Sequence, residues 1–154
     1  MKEPILPGRV RFIDDNLLHL LARASYQMSR EFHAQLRHRG ISVPVWRVLG
    51  NLLGSEGETV TGLAEACLLQ QPTMTKLLDR MVRDGLVKRL ADSRDRRVVR
   101  VALTERGEGL AEEFATAARL HEAEVVARHP DTEALAIKTL LRAILEKHGK
   151  PRRV

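Results

Sequence analysis

Apolar residues recur at helical spacing from Ile13 through Leu17, Leu18, Leu20, Leu21, Ala24, Met28 and Phe32 to Leu36. That spacing predicts one first helix of about 25 residues, roughly 38 Å long. Asp14 and Asp15 suit its positive end, Arg37 and Arg39 its negative end, and Gly40 is its stop. Pro44 opens a second helix with the core face Trp46, Val48, Leu49, Leu52 and Leu53. Thr59-Val60 reads as a short strand, and Thr61 as the cap of a short helix carrying Leu63, Ala64, Ala66 and Cys67. Pro72 opens the next helix, with the stripe Met74, Leu77, Leu78, Met81 and Val82, and Gly85 closes it. Two β-branched runs, Leu86 to Leu90 and Val98 to Leu103, then bracket the polar loop ADSRDRR and predict a hairpin. Thr104 caps a fifth helix that runs to about His129, where Pro130-Asp131 breaks it. Asp131 or Thr132 caps a sixth helix bearing Leu135, Ile137, Leu140, Leu141, Ile144 and Leu145. Residues 1–11 read as an extended arm with two prolines, and residues 149–154 as a basic tail.

A short helix, a turn, a second helix and a hairpin make a winged helix-turn-helix. The fold class is therefore mainly α with a small β-hairpin wing. Residues 41–103 form the winged lobe, and residues 1–40 and 104–148 supply dimerisation helices. The long helices at the chain ends carry more apolar stripe than one small lobe can cover, so the chain is expected to be a homodimer with an interface of obligate size.

Charge sharpens the picture. Residues 70–100 hold nine Lys or Arg and four Asp, an excess of +5 in a chain whose total is only +6. A basic excess confined to one helix and its hairpin is an electrostatic footprint for nucleic acid, and beside a winged helix-turn-helix the expected partner is double-stranded DNA. The core stripe of the 72–84 helix leaves Pro72, Thr73, Lys76, Asp79, Arg80 and Arg83 on the opposite face. Gln71, Thr73, Thr75 and Lys76 lie in its first turns and are candidates for base edges or nearby phosphates. Arg80 and Arg83, further along, are phosphate candidates. Arg94, Arg96 and Arg97 sit at the hairpin tip, where a narrow minor groove would attract arginine. Phosphate repels Asp92 and Asp95, so their expected role is to pair within the loop and aim an arginine.

These residues carry a resemblance to a known family. Val43-Pro44-Val45-Trp46-Arg47-Val48-Leu49, Leu63-Ala64-Glu65, Thr73 to Met81, Asp84-Gly85-Leu86-Val87, Asp92-Ser93-Arg94-Asp95-Arg96-Arg97 and Leu103-Thr104-Glu105-Arg106-Gly107 resemble the MarR (multiple antibiotic resistance regulator) family. The likeness runs from about Ile13 to Lys147. It implies an intertwined homodimer that reads a pseudo-palindromic operator. It also implies a transcriptional regulator, most often a repressor, released by a small aromatic acid or phenol bound between the dimerisation helices and the DNA lobe. Gln71-Pro72 departs from the Ser, Thr or Asp often found at the start of this helix, which leaves sequence preference open.

The remaining residues narrow the function. His19 and Arg23 stand four apart on one helix face, and with Trp46 they could hold an aromatic carboxylate; otherwise Trp46 is core. One cysteine excludes an intrachain disulfide framework and favours a reducing, cytoplasmic setting. Cys67 itself reads as a small buried hydrophobe. His33 and His38 are five apart, and His121, Glu122 and Glu124 lack a compact ligand spacing, so no metal or cofactor is expected. No apolar run reaches the roughly 18 residues of a membrane span. G-x-S-x-G, P-loop and H-E-x-x-H motifs are absent, which argues against an enzyme. A ligand-independent architectural DNA binder and a winged helix used for protein contact stay open as alternatives, although the clustered charge disfavours the second.

Overall fold

The computed structural model of the protein describes residues 11–92, 95, 98–129 and 133–148. The expectations for the 1–10 arm, Arg94, Arg96, Arg97, the Asp131 or Thr132 cap and the 149–154 tail lie outside the described residues. The elements in chain order are α1 (Phe12–Asp15), α2 (Leu17–His38), α3 (Val43–Leu52), β1 (Glu58–Thr59), α4 (Val60–Ala66), α5 (Gln71–Arg83), β2 (Val87–Ala91), β3 (Val99–Leu103), α6 (Glu105–Ala127) and α7 (Ala134–His148).

Two local expectations are corrected. The first helix is not continuous, because Asn16 is extended and its side chain accepts the His19 N–H, restarting the helix as α2. The cap of α4 is Thr59 rather than Thr61. The Thr59 hydroxyl accepts the Gly62 N–H at 3.1 Å, so Thr61 is already inside the helix. Ser42 caps α3 and Thr104 caps α6 in the same manner.

The sheet has the order β1-β3-β2, fully antiparallel, with Val87 opposite Leu103 and Ala91 opposite Val99. Val48, Leu49, Leu52, Leu63, Met74, Leu78, Met81, Val87 and Val101 close the core of the winged lobe. Val82, expected in that stripe, is 38% exposed, since it lies at the edge of the helical face. A second cluster of Phe32, Leu36 and Phe114 joins α2 to α6, and Trp46 from α3 packs against both clusters. Gly107 lets α6 cross the lobe closely: a Cβ there would stand 1.9 Å from the Leu86 carbonyl oxygen.

The first half of α2 and most of α7 bury little within one protomer. Leu17 is 64%, Leu18 73%, Leu135 74% and Leu145 70% exposed. Each such side chain would gain roughly 1.5–3 kcal/mol on full burial. Among the described residues, no helix is long and apolar enough to cross a membrane.

Candidate nucleic-acid interface

The α5 helix forms because its apolar residues fall on one stripe and Pro72 occupies its second position, where a missing N–H costs nothing. Met74, Leu78 and Met81 are fully buried. That anchoring turns Gln71, Thr73, Lys76, Asp79, Arg80 and Arg83 to solvent, as the core stripe predicts. Thr75 is half-buried, and its hydroxyl donates to the Gln71 carbonyl at 3.0 Å. No side chain caps the N-terminus of α5.

The turn leading into α5 is held from several sides. The Leu68 N–H donates to Glu65 O, and the Leu69 N–H to Ala64 O, the paired bonds of a helix C-cap in which the intervening residue is left-handed. That residue is Leu68, with φ 58°. Arg47 of α3 donates to the Cys67 carbonyl at 3.2 Å, placing a cation at the negative end of α4. Asn51 in turn donates to the Arg47 carbonyl at 2.8 Å. Cys67 is buried, and burial pushes its thiol upward against a smaller opposing effect of Arg47, so the sulfur is held as the unreactive thiol.

At the other end of α5, Gly85 (φ 69°) turns the chain into the wing. The Arg106 guanidinium donates to the Asp84 carbonyl at 3.0 Å, and the Thr104 hydroxyl to the Gly85 carbonyl at 2.6 Å. The L-T-E-R-G segment thus docks α6 on the end of α5.

Among the described residues, two basic side chains are engaged inside the unit. Arg89 of β2 pairs with Asp79 of α5 at 2.6 Å, tying the wing to the helix. Arg100 of β3 pairs with Asp92 and also donates to the Gly57 carbonyl at 3.1 Å. The hydrogen bond that Arg100 donates to Asp92 raises the Arg100 pKa, with the carboxylate charge acting in the same direction. Asp92 is buried, and it accepts the Asp95 backbone N–H at 3.0 Å. Asp92 therefore shapes the loop base, holding Arg100 and the Asp95 backbone; the expected pairing with a tip arginine lies outside the described residues. Lys76, Arg80, Arg83 and Lys88 are exposed and carry no ion pair among the described residues. Sequence spacing held no signal for the Asp79–Arg89 tie, which joins residues ten apart across a glycine turn.

The three residues proposed to hold an effector do not converge within one protomer. His19 and Arg23 share one face of α2. Trp46 packs its ring edge-on against Phe32, with centroids 5.5 Å apart, and meets Phe114 at 6.3 Å. Phe32 lies nine residues beyond Arg23, or roughly 13 Å along the helix axis. The indole lies where α2, α3 and α6 meet, next to Gly50. Around it lie groups that the sequence reading did not assign to a ligand site. The His121 ring stacks on Phe32 at 6.0 Å, and its Nε2 lies 2.6 Å from the Met28 carbonyl. Arg39 lies over the Phe114 ring and pairs with Glu113. Burial lowers the His33 pKa, with Arg47, Arg37 and His121 adding in that order. Among the described residues, no group of His, Cys, Asp and Glu could hold a metal ion.

Residues 39–98 match the MarR family model. Among solved structures, a MarR family transcriptional regulator from Silicibacter pomeroyi DSS-3 is 41% identical, with a TM-score of 0.78 over 88% of this chain and 96% of that one. NadR in complex with 4-hydroxyphenylacetate is 25% identical, with a TM-score of 0.77 over 90% and 97% of the two chains. An S. aureus MepR–DNA complex is 25% identical, with a TM-score of 0.67 over 86% and 98%. The HTH-type transcriptional regulator TtmR of Methylorubrum extorquens is 32% identical over 64% of this chain. The homoprotocatechuate degradative operon repressor of Escherichia coli is 30% identical over 62%. These alignments span 50% and 65% of the two relatives' own lengths.

Proposed function

The chain belongs to the MarR family, and on that premise we propose that it is a homodimeric DNA-binding transcriptional repressor released by a small aromatic or phenolic ligand. The observation that carries the DNA-binding part is the basic face of Lys76, Arg80, Arg83 and Lys88, without an ion pair among the described residues, beside the exposed first turns of α5. A buried stripe holds that face outward, and the Asp79–Arg89 pair ties it to the wing. Gln71, Thr73, Thr75 and Lys76 are the base-reading set. Arg80, Arg83 and the wing residues Arg94, Arg96 and Arg97 meet phosphate or the minor groove, and Asp95 orients the wing. Dimerisation follows from the bare apolar faces of α2 and α7, and it sets two α5 helices about one turn of DNA apart on a pseudo-palindrome. Such a role places the protein in the cytoplasm.

The ligand part draws on the aromatic acid bound by NadR and on the homoprotocatechuate pathway governed by the E. coli relative. In this chain Trp46, Phe32 and Phe114 supply an aromatic wall at the junction of dimer helices and DNA lobe. His19 and Arg23 complete the seat when those of one protomer approach Trp46 of the other. A ligand preferring the non-binding spacing of the lobes by about 1.4 kcal/mol weakens DNA binding tenfold. The test is footprinting on the DNA upstream of the protein's own coding region, repeated with benzoate- and 4-hydroxyphenylacetate-like acids, alongside Trp46 fluorescence. Two protected half-sites that fade as the fluorescence saturates are expected. Quenching without any change in the footprint would refute release by ligand.

A further inference from the structure

Gln71 is the first residue of α5, and Thr61 lies in the first turn of α4. Although ten residues apart, they meet: Gln71 Nε2 donates to Thr61 Oγ1 at 3.2 Å. Both are exposed, and Gln71 begins the helix that carries Lys76, Arg80 and Arg83. We propose that Thr61 is a positioning residue for sequence recognition, its hydroxyl fixing the Gln71 carboxamide so that Gln71 reads adenine.

The chemistry follows from counting donors. A glutamine amide has two N–H groups and one oxygen, and a free side chain can present either end. Adenine in the major groove offers an N7 acceptor and an N6 donor, whereas guanine offers two acceptors, N7 and O6. The Thr61 oxygen claims one Gln71 N–H. The second N–H remains for adenine N7, and Oε1 remains for the adenine N6 donor. Against guanine, the same arrangement sets Oε1 facing O6, two acceptors with no hydrogen between them. The Thr61 bond therefore turns a residue able to meet either purine into one that selects adenine. The Gln71 backbone is held as well, since its carbonyl accepts the Thr75 hydroxyl and Pro72 fixes the next φ.

The inference rests on the DNA-binding reading, so the experiment separates the two. The wild-type dimer first selects duplexes from a randomised pool. Wild type, Thr61→Val, Thr61→Ala, Thr61→Ser and Gln71→Ala are then titrated on the selected duplex, its single-base variants and a non-specific duplex. We expect one A·T pair per half-site whose preference Gln71→Ala abolishes. At that pair Thr61→Val and Thr61→Ala should lower the preference for A over G by about tenfold, the scale of one bidentate base contact. Non-specific binding should not change, and Thr61→Ser should keep the preference. Two hydroxyl-free variants, each checked by thermal unfolding, keep the outcome decisive if one folds poorly. Full discrimination in a folded hydroxyl-free variant would overturn the proposal, as would equal weakening on every duplex or a preference that survives Gln71→Ala. A wild-type protein that enriches no sequence would instead overturn the regulator reading itself.

Discussion

Gly107→Ala sets two effects of opposite sign against each other. Gly107 lies in the first turn of α6, where alanine is favoured over glycine by about 1 kcal/mol on helix propensity alone. The structure predicts the reverse outcome. The new Cβ would lie 1.9 Å from Leu86 O and 2.9 Å from its carbonyl carbon, whereas ordinary contact begins at 3.4 Å. Backbone must therefore move by about 1.5 Å, and neither side is a flexible side chain. Leu86 O also accepts the Thr104 N–H at 3.1 Å, and the Thr104 hydroxyl caps Gly107 N–H at 3.0 Å. Overpacking of this kind costs about 1–3 kcal/mol or more, and the lost backbone bond about 1 kcal/mol. After the propensity gain, a net loss of about 2 kcal/mol is expected. Gly109→Ala is the matched control, because nothing lies within 4 Å of its Cβ position; it should gain up to about 1 kcal/mol. The assay is urea unfolding of both variants at one fixed protomer concentration, since dimerisation contributes to apparent stability. If Gly107→Ala matches or exceeds wild type, the close crossing of α6 over the wing base is wrong.

Three further outcomes are expected. Leu68→Gly should stabilise the protein by about 0.5–1 kcal/mol, because it relieves a left-handed leucine that is 79% exposed; an unchanged or lower unfolding midpoint would contradict the strained turn. His33 has a folded pKa below its unfolded value, so its contribution is present above the ordinary histidine range and is lost as pH falls. Stability should accordingly drop between about pH 7 and pH 5, and His33→Gln should flatten that drop; an identical pH profile in the variant would refute it. Asp79→Asn should loosen the wing from α5 and weaken operator binding although it removes a negative charge; tighter binding would show that net charge outweighs the tie to Arg89.

Most of the fold was legible because hydrophobic period and turn residues agree along the chain. Met74, Leu78 and Met81 of the α5 stripe, Gly85, Thr104 and the hairpin stand where their patterns place them. Helix ends were read less well. Asn16 breaks a stripe that is periodic on both sides of it, and only its own cap geometry reveals the break. Thr59 and Thr61 are equally good caps by residue type, and β1 pairing with β3 decides between them. The exposed polar face of α5 followed directly from the core stripe, because fixing one side of a helix fixes the other. The effector trio failed to converge within a protomer for a different reason. Residue chemistry says what could bind an aromatic acid, whereas only packing says that Trp46 is occupied with Phe32 and Phe114. Pairings across turns, Thr61 with Gln71 and Asp79 with Arg89, have no periodic signature at all.

The most direct measurement of the central claim is duplex binding by wild type, Lys76→Ala and Arg83→Ala, followed by fluorescence anisotropy across single-base operator variants and a salt series. Wild type should show a log–log salt slope of several phosphate contacts. Lys76→Ala should lose affinity unevenly across base variants, whereas Arg83→Ala should weaken all of them alike with a shallower slope. Salt-independent binding, or no loss in either variant, would contradict a DNA-reading role for the exposed face of α5.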